Sequence, residues 1–318
     1  MTLTETPNPM SSQVSTFPAA STRGENPTIA IDPSIAAASD GVRLRPFKPD
    51  DLTAAHALSS ALGWAHRLED WQFALSLGQG VVAEHDGKVR GTALTWQWGS
   101  DYATLGMVIV STELQGRRIG NRIMQTLLDH SATRHVLLHA TEAGRGLYER
   151  LGFVATGEIA QHQGVLATLP VAAERKGDRL RPLEGSDDTE SLIAMDARGA
   201  GMQRDELLRR LLAQEKAVIL ERAGEVAGFA LIRRFGLGHA IGPVAAPDAD
   251  AARLLIADCL RRTQGFVRVD VAVTSGLSPW LESLGLPCVG GGTVMVRGRV
   301  PERGPAHGYW ALFTQAMG

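Results

Sequence analysis

Two stretches of the chain repeat one pattern of hydrophobic and polar positions. Val81 to Leu94 (VVAEHDGKVRGTAL) aligns without a gap on Val218 to Leu231 (VILERAGEVAGFAL), with Glu84 on Glu221, Gly87 on Gly224, Val89 on Val226 and Gly91 on Gly228. Each copy is a β-rich run, a turn at Asp86-Gly87 or Ala223-Gly224, and a second β-rich run, which predicts a hairpin. Upstream, Arg43-Leu44-Arg45-Pro46-Phe47 recurs as Arg179-Leu180-Arg181-Pro182-Leu183, each followed by acidic residues and an amphipathic helical stretch. Downstream, Leu151-Gly152-Phe153 falls on Leu284-Gly285-Leu286. The pattern predicts a duplicated α/β domain, each copy running strand, one or two helices, hairpin, strand, long helix, strand, short helix and strands. A length of 318 residues points the same way, because it exceeds what one core usually serves.

Candidate chemistry lies in the first copy. A β-forming run, Val108, Ile109 and Val110, leads through Gln115-Gly116-Arg117-Arg118-Ile119-Gly120 into an amphipathic helix. A strand that ends in a Gly- and Arg-rich turn at a helix start leaves backbone N–H groups unpaired and aims the positive end of the helix dipole at one point. Such a point suits a pyrophosphate. Further on, Leu147-Tyr148-Glu149-Arg150-Leu151-Gly152-Phe153 sets a tyrosine on a short helix, one turn before a glycine stop.

At these residues the chain resembles the GNAT superfamily of acyl-coenzyme A-dependent N-acyltransferases. The family signature is Gln or Arg, two residues, Gly, one residue, then Gly or Ala. Gln115 and Gly120 match its outer positions, and Arg118 stands at the inner glycine. As a first-turn helical residue, Arg118 would still offer its N–H and add a cation. At a position that demands φ > 0 it would be strained. Ala140-Thr141-Glu142-Ala143-Gly144 is similar to a subgroup with two such domains in tandem.

The resemblance implies two tandem domains, each a mixed, mostly antiparallel central sheet flanked by helices. It implies acetyl-coenzyme A as co-substrate and no metal. Val108, Ile109 and Val110 would supply a backbone donor to the thioester carbonyl and pair with the pantetheine amides as an added strand. Gln115, Gly116, Arg117, Arg118, Ile119, Gly120 and Asn121 would cradle the phosphates, the alternative for Arg117, Arg118 and Arg122 being a solvated helix face. Tyr148 would give its proton to the departing thiolate, the alternative being a packed tyrosine bonded to backbone. Glu113, His139 and Glu142, with Asp101 further off, are candidate bases, each also readable as surface charge or cap.

The resemblance also directs attention to residues 62–73 for the acceptor. Trp64 and Trp71 are seven apart and share a face if their helix is unbroken, with Glu69 and Asp70 between them and Trp98 on the second hairpin strand. Paired tryptophans with carboxylates suit an amine with an apolar body, and an amphipathic helix burying both tryptophans in the core fits the same pattern. The second copy differs where the chemistry would occur. Gly242-Pro243-Val244-Ala245-Ala246-Pro247-Asp248-Ala249-Asp250 replaces the Gln/Gly/Arg turn, and Leu281 falls on Tyr148. Prolines remove donors and the two carboxylates would repel a phosphate, so this copy reads as a structural one that covers a sheet edge and helps to wall the acceptor pocket.

The expected organisation is a disordered leader over 1–40, a catalytic domain over 41–165, a linker over 166–178 and a degenerate domain over 179–318. The leader holds Pro, Ser, Thr and Ala without the basic start and apolar core of a secretory signal, so a cytoplasmic location is expected. A net charge of −2 gives no general pull toward nucleic acid or anionic membrane. No apolar stretch approaches the roughly 18 residues of a membrane span. Cys259 and Cys288 lack metal-ligand spacing and read as small buried residues. The reading is an N-acetyltransferase for a small-molecule amine, with its oligomeric state open. The alternatives are a non-catalytic acyl-coenzyme A-binding regulatory module and a two-domain synthase resembling mycothiol synthase, a family whose acetyl transfer lies in the second copy.

Overall fold

The computed structural model describes residues 29–32, 41–132, 134–171, 175–304 and 308–318. In chain order, β1 (Val42–Pro46) precedes α1 (Leu52–Ala61), α2 (Leu68–Leu77), β2 (Gln79–His85), β3 (Lys88–Trp98) and β4 (Tyr102–Val110). Then come α3 (Ile119–Ser131), β5 (His135–Ala140), α4 (Glu142–Arg150) and β6 (Val154–Val165). The second half repeats this order with β7 (Asp178–Pro182), α5 (Gly185–Ala200), α6 (Asp205–Gln214), β8 (Lys216–Arg222), β9 (Glu225–Phe235) and β10 (Gly238–Ala246). It continues with α7 (Ala249–Arg261), β11 (Phe266–Ala272), α8 (Ser278–Ser283) and β12 (Cys288–Arg297), and adds β13 (Gly308–Ala311).

The repeated sequence features have the same physical job in both halves. Asp86-Gly87 and Ala223-Gly224 all take positive φ, the geometry of the tight turn that matches strand twist. Arg45 donates to Glu84 at 2.7 Å and to both oxygens of Asp51, tying the first strand to the hairpin and to the start of the helix that follows. Arg181 does the same with Glu221 and Asp188.

Among the described residues, thirteen strands form one sheet in the order β1-β2-β3-β4-β5-β12-β6-β11-β10-β9-β8-β7, with β13 pairing to β10 off this path. Neighbours are antiparallel except β4 with β5 and β10 with β11. The tandem domains have therefore exchanged their last strands. β12 of the second half inserts between β5 and β6, placing Thr293 opposite both Ala140 and Glu158, while β6 of the first half lies along β11. Alternation along a strand fixes which residues share a face, not which strand is the neighbour, so the exchange leaves no local sequence signal.

One face of the sheet carries α3 and α7, each over its own core. Ile119, Ile123, Met124 and Leu127 of α3 belong to the cluster with Val81, Ala93 and Leu105, and Leu254 and Leu255 of α7 to the one with Val218 and Ala230. The opposite face is a single shared core in which Trp71, Trp96 and Met107 join Leu192, Leu207, Phe229 and Phe313. Of the expected leader, residues 29–32 are described, and Ile29 is buried in the α3 core with Ile31 packed against it. Residues 1–28 and 33–40 lie outside the described residues, as do 172–174 of the expected linker. No helix among the described residues is long and apolar enough to cross a membrane.

Candidate active site

The site begins with a fork in the sheet. β4 pairs with β5 only from Tyr102 to Leu105, so Gly106–Val110 has one open edge. On its other edge Thr92 faces Ile109 but Leu94 faces Gly106, which puts Met107 and Val108 together opposite Ala93. This is a bulge, with Met107 at φ +55°. Ser111 N–H donates to Arg90 O, and the alternation of an antiparallel ladder then commits Ile109 to β3. The backbone polar groups of Val108 and Val110 are left facing the open edge.

The connection from β4 to α3 is a short 3-10 turn, Thr112–Leu114, followed by Gln115–Arg118. Gly116 has φ +80° and Arg118 φ +57°, so the inner-glycine position does demand the left-handed region, and Arg118 accepts strain on the order of 1–2 kcal/mol. Arg118 is the N-cap of α3 without a side-chain cap, and the helix closes its first bond at Arg122 N–H to Arg118 O. The N–H groups of Ile119, Gly120 and Asn121 thus have no acceptor within the helix. A Cβ on Gly120 would stand 3.3 Å from Leu147 Cδ2, which is how closely this helix start approaches α4. Arg117 and Arg118 are exposed, whereas Arg122 reaches back to donate to Val42 O on β1.

Helix α4 is capped at its start by the Thr141 hydroxyl, which accepts from Gly144 N–H, and stops at Gly152, where Phe153 N–H returns to Tyr148 O. Tyr148 is buried, with its ring edge-on to Phe153 at 6.0 Å between centroids. Its hydroxyl has no hydrogen-bond partner among the described residues, and burial pushes its pKa up to about 12. A cavity of about 810 Å³ joins these parts: Val108, Ile109 and Val110, then Gln115, Gly116 and Arg118, then Ile119, Gly120 and Asn121, and finally Tyr148. Arg117 is outside its lining.

Leu114 lines the cavity too, as do Leu62, Thr141, Ala143, Gly144, Leu147 and Arg150, which fell within the quoted sequence stretches without being given a role in the site. Gly144, Leu147 and Tyr148 stand at i, i+3 and i+4 along α4, so the helical period around Tyr148 carried the signal for the first two.

Of the residues named for the acceptor, Trp64 lines the cavity and the others do not. The helix is broken between the two tryptophans. Gly63 takes φ +74°, and a new helix starts at Leu68 with Asp70 accepting from Arg67 N–H and bonding its guanidinium. Trp71 is therefore turned into the shared core, where Nε1 donates to Ser59 Oγ at 3.0 Å. Trp98 is buried there too and donates to Thr104 Oγ1. Asp70 also accepts from Gly236 N–H of the other half, and Glu69 lies beside it in a small cleft of about 80 Å³ between the halves.

The base candidates are not among the residues that line the cavity either. Glu113 faces Arg90 at 3.2 Å, Glu142 is exposed in the first turn of α4, and Asp101 accepts from Ser100. His139 Nδ1–H donates to Gln315 O at 2.6 Å, and burial pushes its pKa down to about 4.

Two family models describing an acetyltransferase (GNAT) domain match the chain, one over residues 61–169 and the other over 192–307. The chain belongs to the GNAT acetyltransferase family. It is a tandem GNAT protein and an acyltransferase, and the family draws on acyl-coenzyme A. No curated protein matches it. Among solved structures it is similar to a candidate acetyltransferase from Pyrococcus horikoshii, with TM-score 0.73 and 18% identity over 89% of this chain and 98% of that one. A GCN5-related N-acetyltransferase from Sphaerobacter thermophilus gives TM-score 0.59 and 17% identity, over 82% of this chain and 96% of that one.

The second GNAT domain departs from the first in two places. Its β10 runs into α7 through Pro247 and Asp248 alone, so the loop that corresponds to Ser111–Arg118 is missing, and Pro243 sits within the strand rather than in the turn. Asp248 caps α7 by accepting from Ala251 N–H, and Arg222 and Arg175 pair with it, Arg175 also with Asp250. These carboxylates are thus matched by cations, and the charge repulsion expected of them is largely offset. The fork is also closed. β10 pairs with β11 only at His239 and Ala240, and β13 fills the gap beyond, with Val244 opposite Ala311 and Leu312 N–H donating to Asp270 O. The segment is held by buried Arg204, which bonds Asp196, the Tyr309 hydroxyl and Gly318 O.

Proposed function

We propose that this tandem GNAT protein transfers an acetyl group from acetyl-coenzyme A to the amine of a small molecule, with one active site, in its N-terminal half. The observation that carries this reading is a meeting of three features in one cavity: Tyr148, the start of α3 and the open edge of β4. The N–H groups of Ile119, Gly120 and Asn121, with the cation of Arg118, bind the pyrophosphate. The open edge of β4 takes the pantetheine arm as an added strand, and Val108 N–H donates to the thioester carbonyl, where negative charge develops. Coenzyme A supplies the activated acyl group.

Tyr148 protonates the departing thiolate. Its raised pKa keeps the proton in place at neutral pH, and the burial that raises it also makes a thiolate in the same cavity more basic, so the transfer is better matched than in water. Leu62 and Trp64 give the cavity an apolar wall suited to an amine with an apolar body. In the second half β13 lies where the pantetheine would pair, and Asp248 occupies the helix start, which supports a single site in the first half and disfavours a synthase-like use of the second copy. A cytoplasmic setting, where coenzyme A thioesters are supplied, is part of this reading.

The test is release of free thiol from acetyl-coenzyme A in the presence of a panel of amines. Amine-dependent release is expected, and Tyr148→Phe should lower it about 10²-fold with coenzyme affinity unchanged. Tight coenzyme binding without amine-dependent release across the panel would favour the regulatory module instead.

A further inference from the structure

The bulge in β4 is held by a residue that the cavity never sees. Thr92 of β3 is wholly buried, and its hydroxyl donates to Met107 O at 2.9 Å. A planar trans peptide points its C=O and N–H in opposite directions. Fixing Met107 O toward Thr92 therefore fixes Val108 N–H away from β3, toward the open edge of β4. On the same face of the sheet, β4 is also closely packed just before the bulge. A Cβ on Gly106, the residue before the bulge, would stand 2.8 Å from Ala316 Cβ, because the segment after β13 packs against β4 there. Met107 at φ +55° is in a conformation that a free chain rarely adopts, and such a conformation persists only when its surroundings impose it.

We propose that Thr92 is a positioning residue for acyl transfer: its hydroxyl, with Ala316 backing the same stretch of β4, sets the direction of the Val108 N–H that polarises the thioester carbonyl. The proposal rests on the function given above, and it assigns to the C-terminal segment of the degenerate half a part in the first-half site. A donor misaimed by a fraction of an ångström loses much of its effect on a developing oxyanion, although the coenzyme stays bound through its phosphates.

The experiment is isotope-edited infrared spectroscopy of acetyl-coenzyme A, labelled with carbon-13 at the carbonyl and bound to the full chain, together with kcat and coenzyme affinity. In the unmodified protein the carbonyl band should lie below that of the free thioester. Thr92→Ser, which keeps the hydroxyl, should retain this shift. Thr92→Val should return the band toward the free position and lower kcat about tenfold while the coenzyme dissociation constant changes less than about twofold. Thr92→Ala gives the same reading if the valine variant does not fold. A bound thioester whose band and turnover are the same with and without the hydroxyl overturns this proposal alone, and so does a variant that loses coenzyme affinity in step with kcat. An unmodified protein that binds no thioester overturns both this proposal and the function it rests on.

Discussion

Gly144 lies one helical turn before Tyr148 and directly beneath its ring, so that a Cβ there would stand 3.0 Å from Cε2 and 3.5 Å from Cζ. The ring comes closest to this bare backbone at Cε2, the carbon next to the one that bears the hydroxyl. Gly144→Ala would raise helix propensity by about 1 kcal/mol and displace the ring by a few tenths of an ångström. Thermal stability should hold or rise while kcat falls about tenfold, with coenzyme affinity unchanged. Calorimetry beside steady-state kinetics separates the two effects, and an unaltered kcat would disconnect ring position from turnover.

Tyr148→Phe isolates the proton itself. With its pKa at about 12, above the ordinary phenol value of 10, the hydroxyl is protonated across the working range, so it should impose no falling limb on kcat between pH 7 and 10. The sign for stability follows. The folded state holds the proton more tightly, so this contribution is fully present below pH 10 and is lost as pH rises through about 12. The phenylalanine variant should lack that alkaline loss in pH-dependent unfolding.

Arg118 separates charge from strain. At φ +57° glycine relieves the backbone and removes the cation, while alanine removes the cation and keeps the strain. Arg118→Gly should therefore exceed Arg118→Ala in stability by about 1 kcal/mol. Both should weaken coenzyme binding by a similar several-fold factor if the guanidinium contacts phosphate. Equal stabilities in urea unfolding would mean that the left-handed position costs nothing.

What the sequence conveyed about this molecule was local. The hairpins over Val81–Leu94 and Val218–Leu231, the Tyr148 helix with its glycine stop, and the strand, turn and helix around Gln115–Gly120 were all legible, because turn residues and side-chain periods act within a few positions. Trp64 and Trp71 misled through the same logic: their spacing suits one helical face, but Gly63 and the Asp70 cap interrupt the helix. The exchange of β6 and β12 and the insertion of β13 beside β10 were not legible, since those pairings join residues far apart in sequence whose alternation fits any neighbour. The demand for positive φ at Arg118 stayed open in the sequence, because an arginine at a glycine position fits a helical first turn as well as a strained left-handed one.

Two histidines should make the fold sensitive to acid. Burial pushes both His66 and His139 down to about 4, below the ordinary value of 6.5. Between those values the unfolded chain takes up protons that the folded chain refuses, so stability is present above pH 6.5 and is lost as pH falls toward 4. His139→Gln should remove up to one proton from that slope and retain a partner for Gln315 O. Denaturant unfolding at pH 7 and pH 5 measures the slope, and an identical slope in the variant would mean that His139 titrates alike in both states.

The second half should bind no coenzyme, for a reason that survives loss of its carboxylates. Asp248 caps α7, and replacing it with alanine should cost about 1 kcal/mol of stability. Arg222 would keep Asp178 and Arg175 would keep Asp250, so neither cation is left unpaired. The fork between β10 and β11 would still be filled by β13, bonded at Val244 and through Leu312 to Asp270. Calorimetric titration with acetyl-coenzyme A should give one site per chain both before and after Asp248→Ala. If the variant gained a second site, charge rather than the inserted strand would be what closes this half. If the unmodified chain already bound two, β13 would have to leave the fork, and hydrogen exchange at Gly308–Ala311 would then speed up on addition of coenzyme.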